Sequence, residues 1–178
     1  LIAQRAKLAD DEVSAELYQE LINSLQYIMG EWPEDDMLFA RMMQLPSISL
    51  LLSHADQVDI ASLVDAHTHI KQVIAKTLES EWRAIYDKFN RDVPYEYTVE
   101  AMGYRAVKNV ALFYLLSLDD ELYTEKAVLQ FNHADNMTDK MGSLLALNQV
   151  DSPQLDALLD HFYQQYRAEP LVVNKWLT

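Results

Sequence analysis

From Val13 onward, apolar residues recur three or four apart along most of the chain. Val13, Leu17, Leu21, Leu25 and Ile28 make the first stripe, which is the spacing of one helix face. Asp10 or Asp11 supplies its N-cap and Gly30 closes it. Asp11, Glu12 and Glu16 lie in the early turns, where the helix dipole favours anions. Leu1 to Ala9 reads as the remnant of an earlier helix. Pro33 suits the first turn of a second helix, with Glu34, Asp35 and Asp36 behind it and Leu38, Met42 and Leu45 as its stripe. Pro46 ends it, because the residue before a proline avoids the α region. Ser47 caps a short helix through Leu52, and Asp56 to Asp59 reads as a loop.

The third stripe is the longest. Ile60, Leu63, His67, Ile70, Ile74, Leu78, Trp82, Ile85 and Phe89 follow one another in steps of three and four. That makes an amphipathic face of ~30 residues, longer than the usual globular helix, with a bend or break expected near Thr77. Arg91-Asp92-Val93-Pro94 stops it. Thr98 caps the next helix, whose stripe is Val99, Met102, Ala106, Val110, Phe113 and Leu116. Leu118-Asp119-Asp120 punctuates. A helix over 121–132 follows, with Leu122, Leu129 and Phe131 inward. Asn136 caps a helix through Leu147, with Asp139 placed as in a capping box. Ser152-Pro153 opens another, carried by Leu155, Leu159, Phe162 and Tyr166. Pro170 breaks it, and Leu171 to Thr178 begins a further helix. About seven to nine helices joined by short loops make antiparallel neighbours. Without a fixed sequence period, these pairs predict an all-α, HEAT-like α-solenoid whose repeats have diverged, with a compact orthogonal bundle as the alternative.

Composition supports this reading. Only three Gly and five Pro occur in 178 residues, too few for a turn-rich all-β chain, while good helix formers fill the segments between them. Half of the residues are hydrophobic. A chain of this length buries roughly 70% of its unfolded surface, so a sizeable core is available. The formal net charge of −14 argues against a nucleic-acid partner, which needs a basic face, and against anionic membrane surfaces. A solvated acidic surface is the expected role of that charge. No apolar run approaches the ~20 residues that cross a bilayer. There is no cysteine, which removes disulfide and thiolate chemistry and suits a reducing, cytoplasmic setting. Leu1 is not an initiator Met and no signal-peptide layout follows it. The segment 1–178 is expected to be a single helical domain that forms part of a larger one.

Candidate chemistry is sparse. The histidines are His54, His67, His69, His133 and His161. A zinc peptidase places two His one helical turn apart with a Glu between them. His67 and His69 are two apart and point to different sides of a helix, so His67 is expected to be a core histidine with one hydrogen-bond partner rather than a metal ligand. His133, beside Asp135 in a turn, is expected to make a local hydrogen bond. The acidic pairs Asp10-Asp11, Asp35-Asp36 and Asp119-Asp120 sit at helix starts, where capping accounts for them better than acid/base work, which needs carboxylates in different environments. Nucleophile elbows and glycine-rich phosphate loops are missing from the sequence. The aromatics Trp82, Tyr86, Phe89, Tyr95 and Tyr97, with Phe113 and Tyr114, read as core or as a seam between helices. A peptide-binding groove is the sharper alternative.

Two late blocks carry a resemblance. Gln130-Phe131 followed by Asn136-Met137-Thr138-Asp139, then Leu171-Val172 and Lys175-Trp176, resemble the C-terminal helical region of the bacterial aminopeptidase N family, zinc-dependent alanyl aminopeptidases. Asn174 replaces an Asp common at that place. Leu45-Pro46-Ser47, Ala84-Ile85-Tyr86 and the pair Arg105 and Asn109 are similar to further stretches of it. The likeness runs from about Leu45 to Trp176, and the first part of the chain matches in pattern only. The resemblance implies a helical domain that covers the catalytic domain of the same polypeptide and limits peptide access to its chamber. The zinc motif His-Glu-x-x-His and the exopeptidase motif Gly-Ala-Met-Glu-Asn lie upstream in that family. No catalytic, metal or cofactor residue is therefore expected here, and no position is assigned to substrate binding. Zinc is implied only for the parent enzyme. Two other readings compete with it: a stand-alone helical adaptor that binds a partner in a groove, and a small metalloenzyme using His67 or His69.

Overall fold

The computed structural model describes residues 11–54 and 59–176. Ten helices and no strand occur among them: α1 (Asp11–Gly30), α2 (Asp36–Met42), α3 (Ile48–Ser53), α4 (Ile60–Thr77), α5 (Glu79–Phe89), α6 (Val99–Leu116), α7 (Glu121–His133), α8 (Met137–Leu147), α9 (Pro153–Tyr166) and α10 (Pro170–Trp176). The helix expected over Leu1 to Ala9, a cap at Asp10 and most of the loop at Asp56 to Asp59 lie outside the described residues.

The long third stripe gives two helices, which brings the number above the seven to nine expected. The break falls at Leu78, whose backbone leaves the helical region at φ −111° and ψ 26°. Its side chain stays fully buried. One apolar face therefore continues from Leu63, Ala66, Ile70 and Ile74 on α4 to Trp82, Ile85, Tyr86 and Phe89 on α5.

Helix α6 is the centre of the stack. It packs against α2, α4, α5, α7 and α8, while α1 lies on α4, and α9 on α7 and α8. With neighbours on several sides it cannot be amphipathic in the usual way, and a helix that is apolar nearly all round is a buried one. Val107, Ala111, Leu112, Tyr114, Leu115 and Leu116 are buried. The single stripe expected for α6 is thus only partly right: Val99, Met102 and Phe113 are exposed, while Val110 and Leu116 are buried. Close approach of α2 depends on Gly103, where an added Cβ would lie 2.8 Å from Asp36 Cβ.

Other stripes are displaced by a residue or so. On α2, Phe39, Ala40 and Met43 are buried while Leu38 and Met42 are exposed. The helix begins later than Pro33, because the Asp35 carboxylate accepts from the amides of Met37 and Leu38 and so caps it. Trp32 Nε1 also donates to Asp36 Oδ1 at 2.9 Å. On α7 the inward set is Tyr123, Ala127, Gln130 and Phe131, whereas Leu122 and Leu129 are exposed. A polar Gln within the buried face hid that period. On α9, Leu158 and Phe162 are buried and Leu155 and Leu159 only partly so.

Caps fall mostly where the residue types put them. Ser47, Thr98 and Asn136 accept from the amides of Leu50, Ala101 and Asp139. Asp120 caps α7 through Leu122 N, and Asp119 before it takes a positive φ of 55°, which Asp tolerates better than most residues. Ser152 stands at the N-cap of α9, but its hydroxyl donates to Gln154 Oε1 instead of capping. Replacing Asn136 by Ala is expected to cost about 1 kcal/mol or more through loss of the cap. Urea unfolding reads this, and an unchanged midpoint would show that the cap contributes nothing.

Candidate functional site

Some of the residues that carry the family likeness converge in space. Arg105 and Asn109 stand on α6, Gln130 on α7, and Asn136 and Asp139 at the start of α8. Asn109, Gln130, Asn136 and Asp139 form one hydrogen-bonded network, and Arg105, Gln130, Asn136 and Asp139 line an open groove of about 1040 Å³. The groove is bounded by the end of α5, the α5–α6 connector, α6, α7 and the α7–α8 turn.

Asp139 is the hub. Its carboxylate accepts from Lys108 Nζ at 2.9 Å, Asn109 Nδ2 at 3.1 Å and Asn136 Nδ2 at 3.0 Å. Its backbone amide donates to Asn136 Oδ1 at 2.9 Å. Gln130 Nε2 donates to Asn109 Oδ1 at 2.8 Å and to the Asp139 carbonyl at 3.2 Å. Lys108 and Asp139 are both buried. Buried charges of this kind persist only when paired and supported by further hydrogen bonds; the two pair with each other, and Asp139 takes the further bonds from Asn109 and Asn136. Gly142 makes the arrangement possible, since a Cβ at that position would collide with the Asn109 amide.

The same motif fixes the groove rim. The Asp135 carboxylate accepts from Tyr95 N at 2.8 Å and from Asn136 Nδ2 at 3.1 Å. These bonds, Asn136 first, hold its carboxyl below the usual range. Arg105 Nη1 donates to the Glu96 carbonyl at 3.2 Å, and its guanidinium lies 4.9 Å from the Tyr95 ring. Burial, with Asp139 and Asp87 nearby, pushes the Tyr86 phenol well above its ordinary value.

The histidines do not come together. His67 Nε2 lies 3.0 Å from the Pro46 carbonyl, so that nitrogen carries the proton and donates; this is the single partner expected of it. His54 Nδ1 meets the Leu50 carbonyl at 2.9 Å, His69 lies beside the Tyr18 ring, and His161 is edge-on to Phe131. His133 lines the groove, while Asp135 is directed to Tyr95 and Asn136. Among the described residues no group of three or more His, Cys, Asp or Glu could hold a metal ion. Of the aromatics, Trp82, Tyr86 and Phe89 are core, Trp82 stacking on Tyr114 at 4.4 Å. Tyr95 lines the groove and Tyr97 is exposed.

His67 makes stability pH-dependent. Burial lowers its pKa from 6.5, and Lys71 adds to this. The folded state therefore favours the neutral ring. Above 6.5 neither state binds the proton; below it the unfolded chain binds it first, so stability falls until the folded pKa is passed. The loss between pH 6.5 and the folded pKa is expected to be smaller in His67→Gln than in the wild type. Urea midpoints on either side of 6.5 measure it, and equal losses would remove His67 from the account.

Residues 1–178 match, over the whole chain, a family described as a domain of unknown function (DUF3458_C) with ARM repeats. The chain belongs to this family. Its ARM-repeat description agrees with the solenoid read from the helix pairs. Among curated relatives, aminopeptidase N of Caulobacter vibrioides is 29% identical over 99% of the chain, and aminopeptidase N of Escherichia coli (strain K12) is 28% identical over 80%. The chain spans only 20% and 16% of those two proteins. The crystal structure of Legionella pneumophila aminopeptidase A in complex with aspartic acid shares the fold, with a TM-score of 0.76 and 23% identity. It covers 87% of this chain, which corresponds to 19% of that structure.

Within this ARM-repeat domain the motif residues are packing residues. Asn-x-x-Asp in the α7–α8 turn is a cap whose Asp also neutralises a buried lysine; Asn109 reaches that turn from α6, while Arg105 bonds the α5–α6 connector. Sequence reasoning missed Lys108. Its only signal was a cation set beside Val107 and Asn109, three residues after Arg105, where the helix turns almost wholly apolar.

Proposed function

We propose that the chain is a non-catalytic helical segment of a zinc-dependent aminopeptidase N that releases N-terminal residues from peptides. Its role is architectural: it helps enclose the active-site chamber and restricts entry to short, flexible peptides. Zinc and the catalytic groups belong to the catalytic domain of the same polypeptide, which is its principal partner, and the enzyme works in the cytoplasm. Residues 1–178 form one part of a larger helical domain.

The observation that carries this reading is the likeness to aminopeptidase N of C. vibrioides along 99% of the chain. The placement of the shared residues supports it, because the polar cluster they build is centred on a buried ion pair and bridges α6, α7 and α8. A stand-alone adaptor is the second reading, favoured by the groove beside that cluster.

An alanine anilide assay tests the proposal. The full-length protein is expected to release aniline and to lose that activity with a chelator, while the 178-residue segment alone is inert. Zinc-dependent turnover by the segment, or none by the full-length protein, would overturn it.

A further inference from the structure

The connector between α5 and α6 has an unusual combination of properties. Every residue from Asn90 to Thr98 is exposed, and none lies in a helix. Yet its backbone is held in place. Tyr95 N is bonded to Asp135, the Glu96 carbonyl to Arg105, and Thr98 caps α6. Exposed irregular segments are ordinarily mobile and polar. This one is fastened by the motif network and displays apolar side chains: Val93 is 64% exposed, Tyr97 82% and, just beyond, Val99 78%. Asp92, Glu96 and Glu100 alternate with them. A segment already ordered in this way has met the entropy cost of binding in advance.

We infer that this strip, Val93 to Val99, is the surface on which the remainder of the same polypeptide docks, through an apolar patch rimmed by Lys or Arg. The inference rests on the reading that the chain is one part of a longer peptidase. Two observations choose the occupant. The relatives are about five to six times as long as the matched region, which is 20% and 16% of them, so most of such a polypeptide remains to be packed against. The strip is acidic between its apolar residues and the chain carries a formal charge of −14, so a second copy would set carboxylates against carboxylates, and like charges facing each other oppose association.

The test uses the full-length protein with a photoreactive phenylalanine analogue in place of Tyr97, and a second sample with it in place of Glu125, an exposed residue of α7. Tyr97 is so exposed that the exchange leaves the fold intact. After irradiation, mass spectrometry is expected to find Tyr97 cross-linked within the same polypeptide to residues outside 1–178, with no such link from Glu125. Two results would overturn the inference: no intramolecular link from Tyr97, or a link between two polypeptides. Anilide turnover on the same samples separates the two claims. Turnover without the cross-link sinks the docking surface alone, and the cross-link without turnover sinks the peptidase reading while the docking surface stands.

Discussion

Asp139→Ala is expected to destabilise the fold by about 3–5 kcal/mol, the cost of removing one partner from a buried ion pair. The side chain is almost wholly inside, and three donors converge on it. Without it, Lys108 keeps a buried charge with its counterion gone, and the amides of Asn109 and Asn136 each lose an acceptor. At this chain length each kcal/mol lowers the midpoint of thermal unfolding by about 2–4 °C. The loss is therefore visible by circular dichroism. The double variant Lys108→Met with Asp139→Leu should recover much of it, since apolar replacement of a buried pair is often neutral or better. A loss from Asp139→Ala of only about 1 kcal/mol, the scale of a surface pair, would mean that water reaches this cluster and that it does not lock α6 to α8.

The all-α class, most helix boundaries and most caps were legible in the chain because they are local. A three-and-four spacing, a Ser, Thr, Asp or Asn before it and a Gly or Pro around it are written within a few residues of one another. Which face turns inward was less legible, for a physical reason. The α6 stripe through Val99 and Met102 assumes one buried side, but α6 is surrounded, and its true interior includes Val107, Ala111 and Leu115. On α7, Gln130 is buried because Asn109 and the Asp139 carbonyl receive its amide. No rule that counts apolar residues places a glutamine inside. The likeness to aminopeptidase N found the right residues, but only the packing shows what they do: Asp139 gives its amide to the Asn136 cap and is the counterion of a lysine thirty-one residues earlier.

The second large effect is expected at Trp82. It is fully buried on α5, stacked on Tyr114 at 4.4 Å with the planes 14° apart. Tyr114 in turn donates from its hydroxyl to the Met43 carbonyl at 2.8 Å, which ties α6 to the end of α2. Trp82→Ala removes the largest side chain in that layer, and Trp→Ala in a core typically costs about 3–5 kcal/mol because the cavity only partly collapses. Trp82→Phe should cost far less, under about 2 kcal/mol, because a ring still stacks on Tyr114 and the indole N–H goes with the rest. Among the described residues that N–H, Nε1, is buried without a hydrogen-bond partner, and an unmet buried donor costs about 1–3 kcal/mol. Deleting it offsets part of the lost volume. Urea unfolding of the two variants side by side decides the matter. If Trp82→Phe is as damaging as Trp82→Ala, the indole N–H has a partner after all, and the layer is held by a hydrogen bond as well as by packing.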